Sequence, residues 1–220
     1  MATVDWKSPA PPKTISRLSL YRRLLTEHPP TEQTDRVYSH GLARMAGVSA
    51  AQVRRDIMLL GCSGTPNTGY DVRVLIDHIA QHIDAPEGQQ VALVGIGNLG
   101  RAILTYFSHG RKTRLKVIAA FDIAPEKTDR VLHGCRCYPV EQMAEVIRRE
   151  HVTVGINAVP AEAAQQTADA LVAAGVTGIL NFAPIPIQVP SRVYVGNMDI
   201  TVELETAAFF ALNGNPKAGR

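Results

Sequence analysis

The sequence predicts an α/β chain in two parts, an N-terminal winged helix-turn-helix and a C-terminal Rossmann-like parallel sheet with a separate closing helix. Three observations carry this. Val91-Ala92-Leu93-Val94 is the continuous apolar run of a buried parallel strand, and it leads straight into Gly95-Ile96-Gly97-Asn98-Leu99-Gly100 and then into helical spacing. A second apolar run, Val117-Ile118-Ala119-Ala120-Phe121, ends on Asp122, about 20 residues beyond the last of those glycines. Ahead of both, two short helical patterns meet at Gly47, the second polar and basic near its start.

At 220 residues, with 45% hydrophobic side chains, the chain can form one large domain or two small ones. No apolar run approaches the roughly 20 residues of a membrane span. The first residues lack the hydrophobic core of a signal peptide, which points to the cytoplasm. A net charge of +3 neither demands nor opposes a nucleic-acid partner, because a local basic face matters more than the total. Cys62, Cys135 and Cys137 make no disulfide framework. The single-residue gap of Cys135-x-Cys137 is not a zinc spacing, so no metal is expected and the thiols read as reduced and structural.

Residues 1–13, with Pro9, Pro11 and Pro12, read as a loose tail, and residues 14–85 as the DNA-binding domain. Thr14 or Ser16 is placed to cap a first helix with Ile15, Leu18, Tyr21, Leu24 and Leu25 on one face. Arg17, Arg22 and Arg23 lie on or beside its polar face, and Pro29-Pro30 stops it. A short helix over 38–46 ends near Gly47. In the helix that follows, Ser49 and Gln52 form a Ser-x-x-Gln capping box, with Val48 and Val53 as its hydrophobic staple. Val53, Ile57 and Leu60 face inward. That leaves Ser49, Ala50, Gln52, Arg54 and Arg55 mostly outward, as on a DNA-reading helix. Residues 61–72 have the glycine, proline and asparagine content of a hairpin, the wing. Val72, Val74, Leu75, Ile79 and Ile83 then continue a helical face to the boundary at 85–88.

In residues 86–198, Gly95 permits a tight strand-to-helix turn, Gly97 lets a pyrophosphate approach the backbone, and Gly100 lets the helix pack closely on the strand. The helix start offers unpaired N–H groups to the phosphates. A free carboxylate at Asp122 accepts from a ribose 2′-OH and repels a 2′-phosphate, so NAD(H) is expected over NADP(H). A helix over 139–150 turns Met143, Val146 and Ile147 inward, and a strand over 152–157 follows. The alanine-rich helix 161–174 closes at Gly175, and residues 178–182 form the next strand. Ligands bind beyond the carboxyl ends of such strands, so Asn157, Ala158, Val159 and Pro160, with Phe182, Ala183 and Pro184, join Gly95 to Gly100 at the cofactor site. A short strand over 193–195 precedes a helix over 199–213 that is too apolar for a solvent-covered end, which calls for burial in its own subunit or, with at least equal weight, against a partner; residues 214–220 are a tail. His78, His82, His109, His133 and His151 fall mostly on helices or outer turns and form no hydride-transfer set. A sensor is therefore favoured over a small NAD-dependent oxidoreductase. A CoA- or nucleotide-binding module fits the sheet, and Asp122 argues against it.

Several motifs together carry a resemblance: Arg17-Leu18-x-x-Tyr21, Val48-Ser49-Ala50-Ala51-Gln52-Val53-Arg54-Arg55-Asp56, Gly69-Tyr70-x-Val72, the glycine fingerprint, Phe121-Asp122, Gly155-Ile156-x-x-Val159-Pro160 and Gly178-Ile179-Leu180-Asn181-Phe182-Ala183-Pro184. Over nearly its whole length the sequence resembles the Rex family of redox-sensing transcriptional repressors. The resemblance implies a homodimer with exchanged C-terminal helices on inverted-repeat operator DNA, held with NAD+ and released by NADH. It implies Arg17 and the wing residues Asn67 and Tyr70 as DNA contacts beside the recognition helix. It also implies a switch made of Tyr106, Asp199 and Arg23. The chain departs from the family pattern in a wing without Lys or Arg (residues 63–69), in Cys62 at the wing base, and in Ile200 where many relatives carry an aromatic.

Overall fold

A computed structural model of the chain describes residues 10–27, 35–61, 68–108 and 114–214. Internal contacts divide it into two units, Met1–Pro86 and Glu87–Arg220.

The first unit contains α1 (Pro12–Glu27), β1 (Arg36–Val37), α2 (Ser39–Ala46), α3 (Ala50–Met58), β2 (Tyr70–Asp71) and α4 (Val72–Ile83). Helix α1 starts earlier than expected. Proline suits a first helical position, where its missing N–H costs nothing, so neither Thr14 nor Ser16 is the cap. Thr14 is buried and accepts from Arg17 Nη2 at 3.0 Å, while Ser16 Oγ donates back to Pro12 O at 3.1 Å. Leu18, Tyr21 and Leu25 of α1 pack with Leu42, Val53, Ile57, Leu75 and Ile79. Val74, expected inward, is 51% exposed. Asp71 caps α4 by accepting from the Val74 N–H, and with Val72, Leu75 and Ile79 on the core face, Val74 falls opposite.

Gly47 closes α2 in the left-handed region at φ +65°, and Ser49 Oγ accepts from the Gln52 N–H at 3.2 Å. Only half of the expected capping box forms. The Gln52 amide turns instead to Asp56, donating to its Oδ1 at 2.9 Å. Strand β2 pairs antiparallel with β1, ahead of α2, a partner outside the expected 61–72 hairpin. Cys62 and Asn67 lie outside the described residues.

The second unit contains β3 (Gln89–Val94), α5 (Asn98–Ser108), β4 (Leu115–Asp122), β5 (Arg130–Leu132), β6 (Cys135–Pro139), α6 (Met143–Arg149), β7 (Val154–Asn157), α7 (Ala161–Ala174), β8 (Gly178–Asn181), β9 (Tyr194–Asn197) and α8 (Ile200–Asn213). Its seven strands lie in the order β5-β6-β4-β3-β7-β8-β9, all parallel except β5 against β6. From β3 the chain builds outward first through β4 and then through β7, so the order reverses beside β3. Such a reversal leaves a crevice at the carboxyl ends.

The β5–β6 hairpin was not expected. Cys135 and Cys137 alternate on β6, and both point into the core with Leu93, Ile96 and Leu104. Burial, with the neighbouring Cys137, pushes the Cys135 thiol up to about 12, and burial raises Cys137 as well. Both thiols are therefore expected to resist iodoacetamide in the folded protein at about pH 8 and to react once it is unfolded in urea. Peptide mass spectrometry checks this, and rapid labelling of either residue in the folded state would refute it.

Helix α8 leaves Ile200, Val202, Leu204, Phe209 and Leu212 exposed. Among the described residues no helix is long and apolar enough to cross a membrane.

Candidate functional site

The loops after β3, β7 and β8 are stitched together along one sheet edge. Gly95 N–H donates to Phe121 O at 2.8 Å, Ala158 N–H to Val94 O at 2.9 Å, and Phe182 N–H to Asn157 O at 2.8 Å. Gly95 sits at φ +97°, and a Cβ there would stand 2.5 Å from Ala158 O. At Gly100 an added Cβ would lie 2.0 Å from Gly95 O and 3.5 Å from Leu93 Cδ2. Gly100 thus answers first to the turn and only then to the strand beneath. Gly97 is different: among the described residues a Cβ there meets nothing within 4 Å. Open space over a backbone turn, just before the first residue of α5, fits a phosphate group and the N–H groups that would bind it. The main chain of residues 95–100 would hold a pyrophosphate there.

Asp122 is not the free carboxylate the sequence suggested. It is 7% exposed; Oδ2 accepts from Ile96 N–H at 2.7 Å and Oδ1 from Ala124 N–H at 2.9 Å. Lys127 Nζ stands 3.3 Å from Oδ2 and 3.4 Å from Oδ1. Burial pushes this carboxyl up, but the Ala124 and Ile96 amides and the Lys127 ammonium outweigh it and hold its pKa below the ordinary value. The physical reason is the glycine loop itself. Its Ile96 N–H is buried and needs an acceptor, and Asp122 supplies one. Lys127 was missed because it lies in the short 3-10 turn Pro125–Lys127, where no periodicity marks it. Ile123, directly after Asp122, presents an exposed apolar side chain.

In the first unit the structure gathers Arg17, Tyr21 and Gln52 around Asp56, which is 1% exposed. Arg17 Nε and Nη2 donate to the two carboxylate oxygens at 2.6 and 2.7 Å, and Tyr21 Oη donates at 2.9 Å. Desolvation opposes the Asp56 charge, but Arg17, Gln52 and Tyr21 overcome it and keep its pKa low. Arg17 and Gln52 are thus tied inward by part of their donor capacity. Arg54 and Arg55 are exposed on α3; Arg54 Nη1 donates to Ser39 Oγ at 3.1 Å and Arg55 Nε to Ala51 O at 3.5 Å. Ser49 is exposed as the cap, Ala50 is half-buried, and Tyr70 is half-buried on β2.

Of the three expected switch residues, Arg23 is exposed on α1 in the first unit. Tyr106 is exposed on α5, its ring edge-on to Phe107 with centroids 5.4 Å apart. Asp199 caps α8, accepting from Thr201 N–H at 2.9 Å and Val202 N–H at 3.3 Å.

Residues 10–57 match the family described as "Putative DNA-binding protein N-terminus", and residues 87–185 the one described as "CoA binding domain". The Redox-sensing transcriptional repressor Rex of Lactobacillus acidophilus is 38% identical over 203 residues, spanning 91% of this chain and 94% of its own. The chain belongs to the Rex family. The Rex of Listeria welshimeri is equally similar, 38% over 203 residues, covering 92% of this chain and 94% of that one. Among solved structures, the Rex-family repressor RSP superimposes with a TM-score of 0.81 at 32% identity, covering 94% of this chain and 96% of its own. RSP in complex with β-NAD+ and operator DNA gives a TM-score of 0.82 at 31% identity, covering 94% of both chains. RSP with β-NADH gives 0.80 at 31%, covering 94% and 96%.

Proposed function

We propose that this Rex-family chain is a cytoplasmic, homodimeric transcriptional repressor that binds inverted-repeat operator DNA and lets go when NADH fills the crevice at residues 95–100. The observation that carries the reading is the pairing, in one chain, of a helix-turn-helix unit with a dinucleotide cradle whose open position is Gly97. The Rex complexes with operator DNA, NAD+ and NADH support the same assignment of ligands.

In this reading Ser49, Ala50, Arg54 and Arg55 face the major groove. Gln52 and Arg17 contribute whatever donor capacity Asp56 leaves them, and Asn67 and Tyr70 form the wing contacts. Residues 95–100 hold the pyrophosphate, and Asp122 shapes that loop while Lys127 and Ile123 flank the adenosine end. Residues 157–160 and 182–184 border the nicotinamide end. Helix α8 covers its apolar face with the second subunit. Tyr106, Asp199 and Arg23 carry the switch, since reduction removes the nicotinamide's positive charge and gives a carboxylate such as Asp199 reason to change partners. The chain acts by binding rather than by turnover.

A nucleotide moves DNA affinity only by its differential affinity for two protein states, and the coupling is reciprocal. Titration of operator duplex at fixed salt is expected to show at least a tenfold loss of affinity with NADH, worth about 1.4 kcal/mol, and none with NAD+. Salt must be fixed because phosphate contacts make affinity depend on it. DNA binding indifferent to both nucleotides overturns the reading. The match to a CoA-binding family keeps one second reading in view. Displacement of NADH by an equal concentration of CoA would favour it.

A further inference from the structure

Three asparagines end three adjacent strands: Asn157 on β7, Asn181 on β8 and Asn197 on β9. They are paired residues in the sheet register, Asn157 with Asn181 and Asn181 with Asn197, so their amides stack across the strands. Asn157 Nδ2 donates to Asn181 Oδ1 at 3.2 Å, and Asn181 Nδ2 donates to Asn197 Oδ1 at 3.0 Å. Asn181 also accepts from Ala183 N–H at 3.3 Å and donates to Ile185 O at 2.9 Å, which fills the capacity of a primary amide. The backbones follow the same path, with Phe182 N–H on Asn157 O and Met198 N–H on Asn181 O, each at 2.8 Å.

The ladder has two different ends. At one end Asn157 is 0% exposed, donates also to Ala164 O of α7 at 3.1 Å, and leaves Oδ1 as a buried acceptor with no partner among the described residues. At the other end Asn197 is exposed, two residues before the Asp199 cap of α8. A buried amide acceptor left open is a costly arrangement. Any movement of the residue 157–160 loop that relieves it must change the geometry of the amide behind it. Asn181, the middle amide, has both donors and both acceptors filled, so a shift of the Asn157 amide displaces the partners of Asn181 in turn.

We propose that Asn181 and Asn197 are positioning residues that transmit the state of the residue 157–160 loop to the N-terminal cap of α8, and so couple nucleotide binding to DNA release. The proposal rests on the repressor reading above, and one experiment separates the two. NADH affinity is measured for the full-length wild type and for Asn197→Ala, with and without a duplex selected by the wild type from a random pool. Hydrogen exchange at the Thr201 and Val202 amides is followed in parallel. If wild-type DNA binding ignores NADH, the repressor reading fails.

Where the wild type responds, Asn197→Ala is expected to bind NADH alone within about threefold of wild type. Its coupling ratio is expected to fall at least about fivefold, and the NADH-dependent change in exchange at Thr201 and Val202 to be lost. Asn197→Asp keeps the oxygen that accepts from Asn181 and is expected to restore both. Wild-type coupling in Asn197→Ala overturns the proposal. So does a loss of NADH affinity that matches the loss of coupling, or a failure of Asn197→Asp to rescue.

Discussion

Asp56→Ala is expected to lower the unfolding free energy by about 3 kcal/mol, because removing one member of a buried ion pair strands the other. Arg17 would lose both carboxylate acceptors and keep the Thr14 hydroxyl, and the Tyr21 hydroxyl and the Gln52 amide would each lose one acceptor. At roughly 4–8 °C for each kcal/mol in a domain of this size, scanning calorimetry will show a large fall in the first transition. The same carboxylate sets an acid limit. Its pKa is lower folded than unfolded, so its contribution is complete above the ordinary carboxylate range and is lost as pH falls through that range toward the folded value. The wild type should therefore weaken on acidification more steeply than Asp56→Ala. Parallel acid limbs, or a midpoint unchanged in Asp56→Ala, would show that the cluster holds little.

Gly100→Ala is expected to abolish NADH binding, with a loss of more than a hundredfold, or about 2.7 kcal/mol. The new methyl would stand 2.0 Å from Gly95 O and 3.1 Å from Gly95 C, both backbone atoms that no side-chain rotation can move aside. Relief requires opening the turn that presents the N–H groups. Gly97→Ala is the informative contrast. Its methyl meets nothing within 4 Å among the described residues, so thermal stability should stay within about 0.5 kcal/mol while NADH affinity falls at least about tenfold, because the methyl would fill the proposed phosphate position. Calorimetric titration of both variants decides the matter. A Gly97→Ala protein that binds NADH as the wild type does would remove the pyrophosphate from this turn.

The parallel sheet was legible because buried parallel strands are runs of apolar residues, and Val91 to Val94 and Val117 to Phe121 are such runs ending at an informative glycine and acid. The helices α2, α3, α6 and α7 were legible through their spacing and through stops such as Gly47 and Gly175. What escaped was local or pairwise. Strand β1 is two residues long, too short to carry a period, and exists because Tyr70–Asp71 pairs with it. On β6 the alternation of Cys135 and Cys137 is a strand signal, period two with both thiols inward, but three residues are too few to separate a strand from a thiol pair. Asp122 and Gln52 show the deeper limit. Spacing places a polar side chain on the correct turn, but which donor or acceptor satisfies it depends on chain brought close only by folding: Ile96 for Asp122, and for Gln52 an Asp56 already engaged by Arg17 and Tyr21. The asparagine ladder was likewise invisible, since its rungs lie on separate strands.

The bond between Arg17 and Asp56 also makes a ruler of the first unit. It fastens α1 to α3 with two short, charged hydrogen bonds, so the two helices are expected to move as one piece. On inverted-repeat DNA the two reading helices of a dimer must sit about one helical turn apart, roughly 34 Å. Stiff units cannot stretch to reach a misplaced half-site. In the proposed dimer the spacing between subunits would then be read directly as affinity, and a change of spacing too small to disturb either unit would suffice to release the operator.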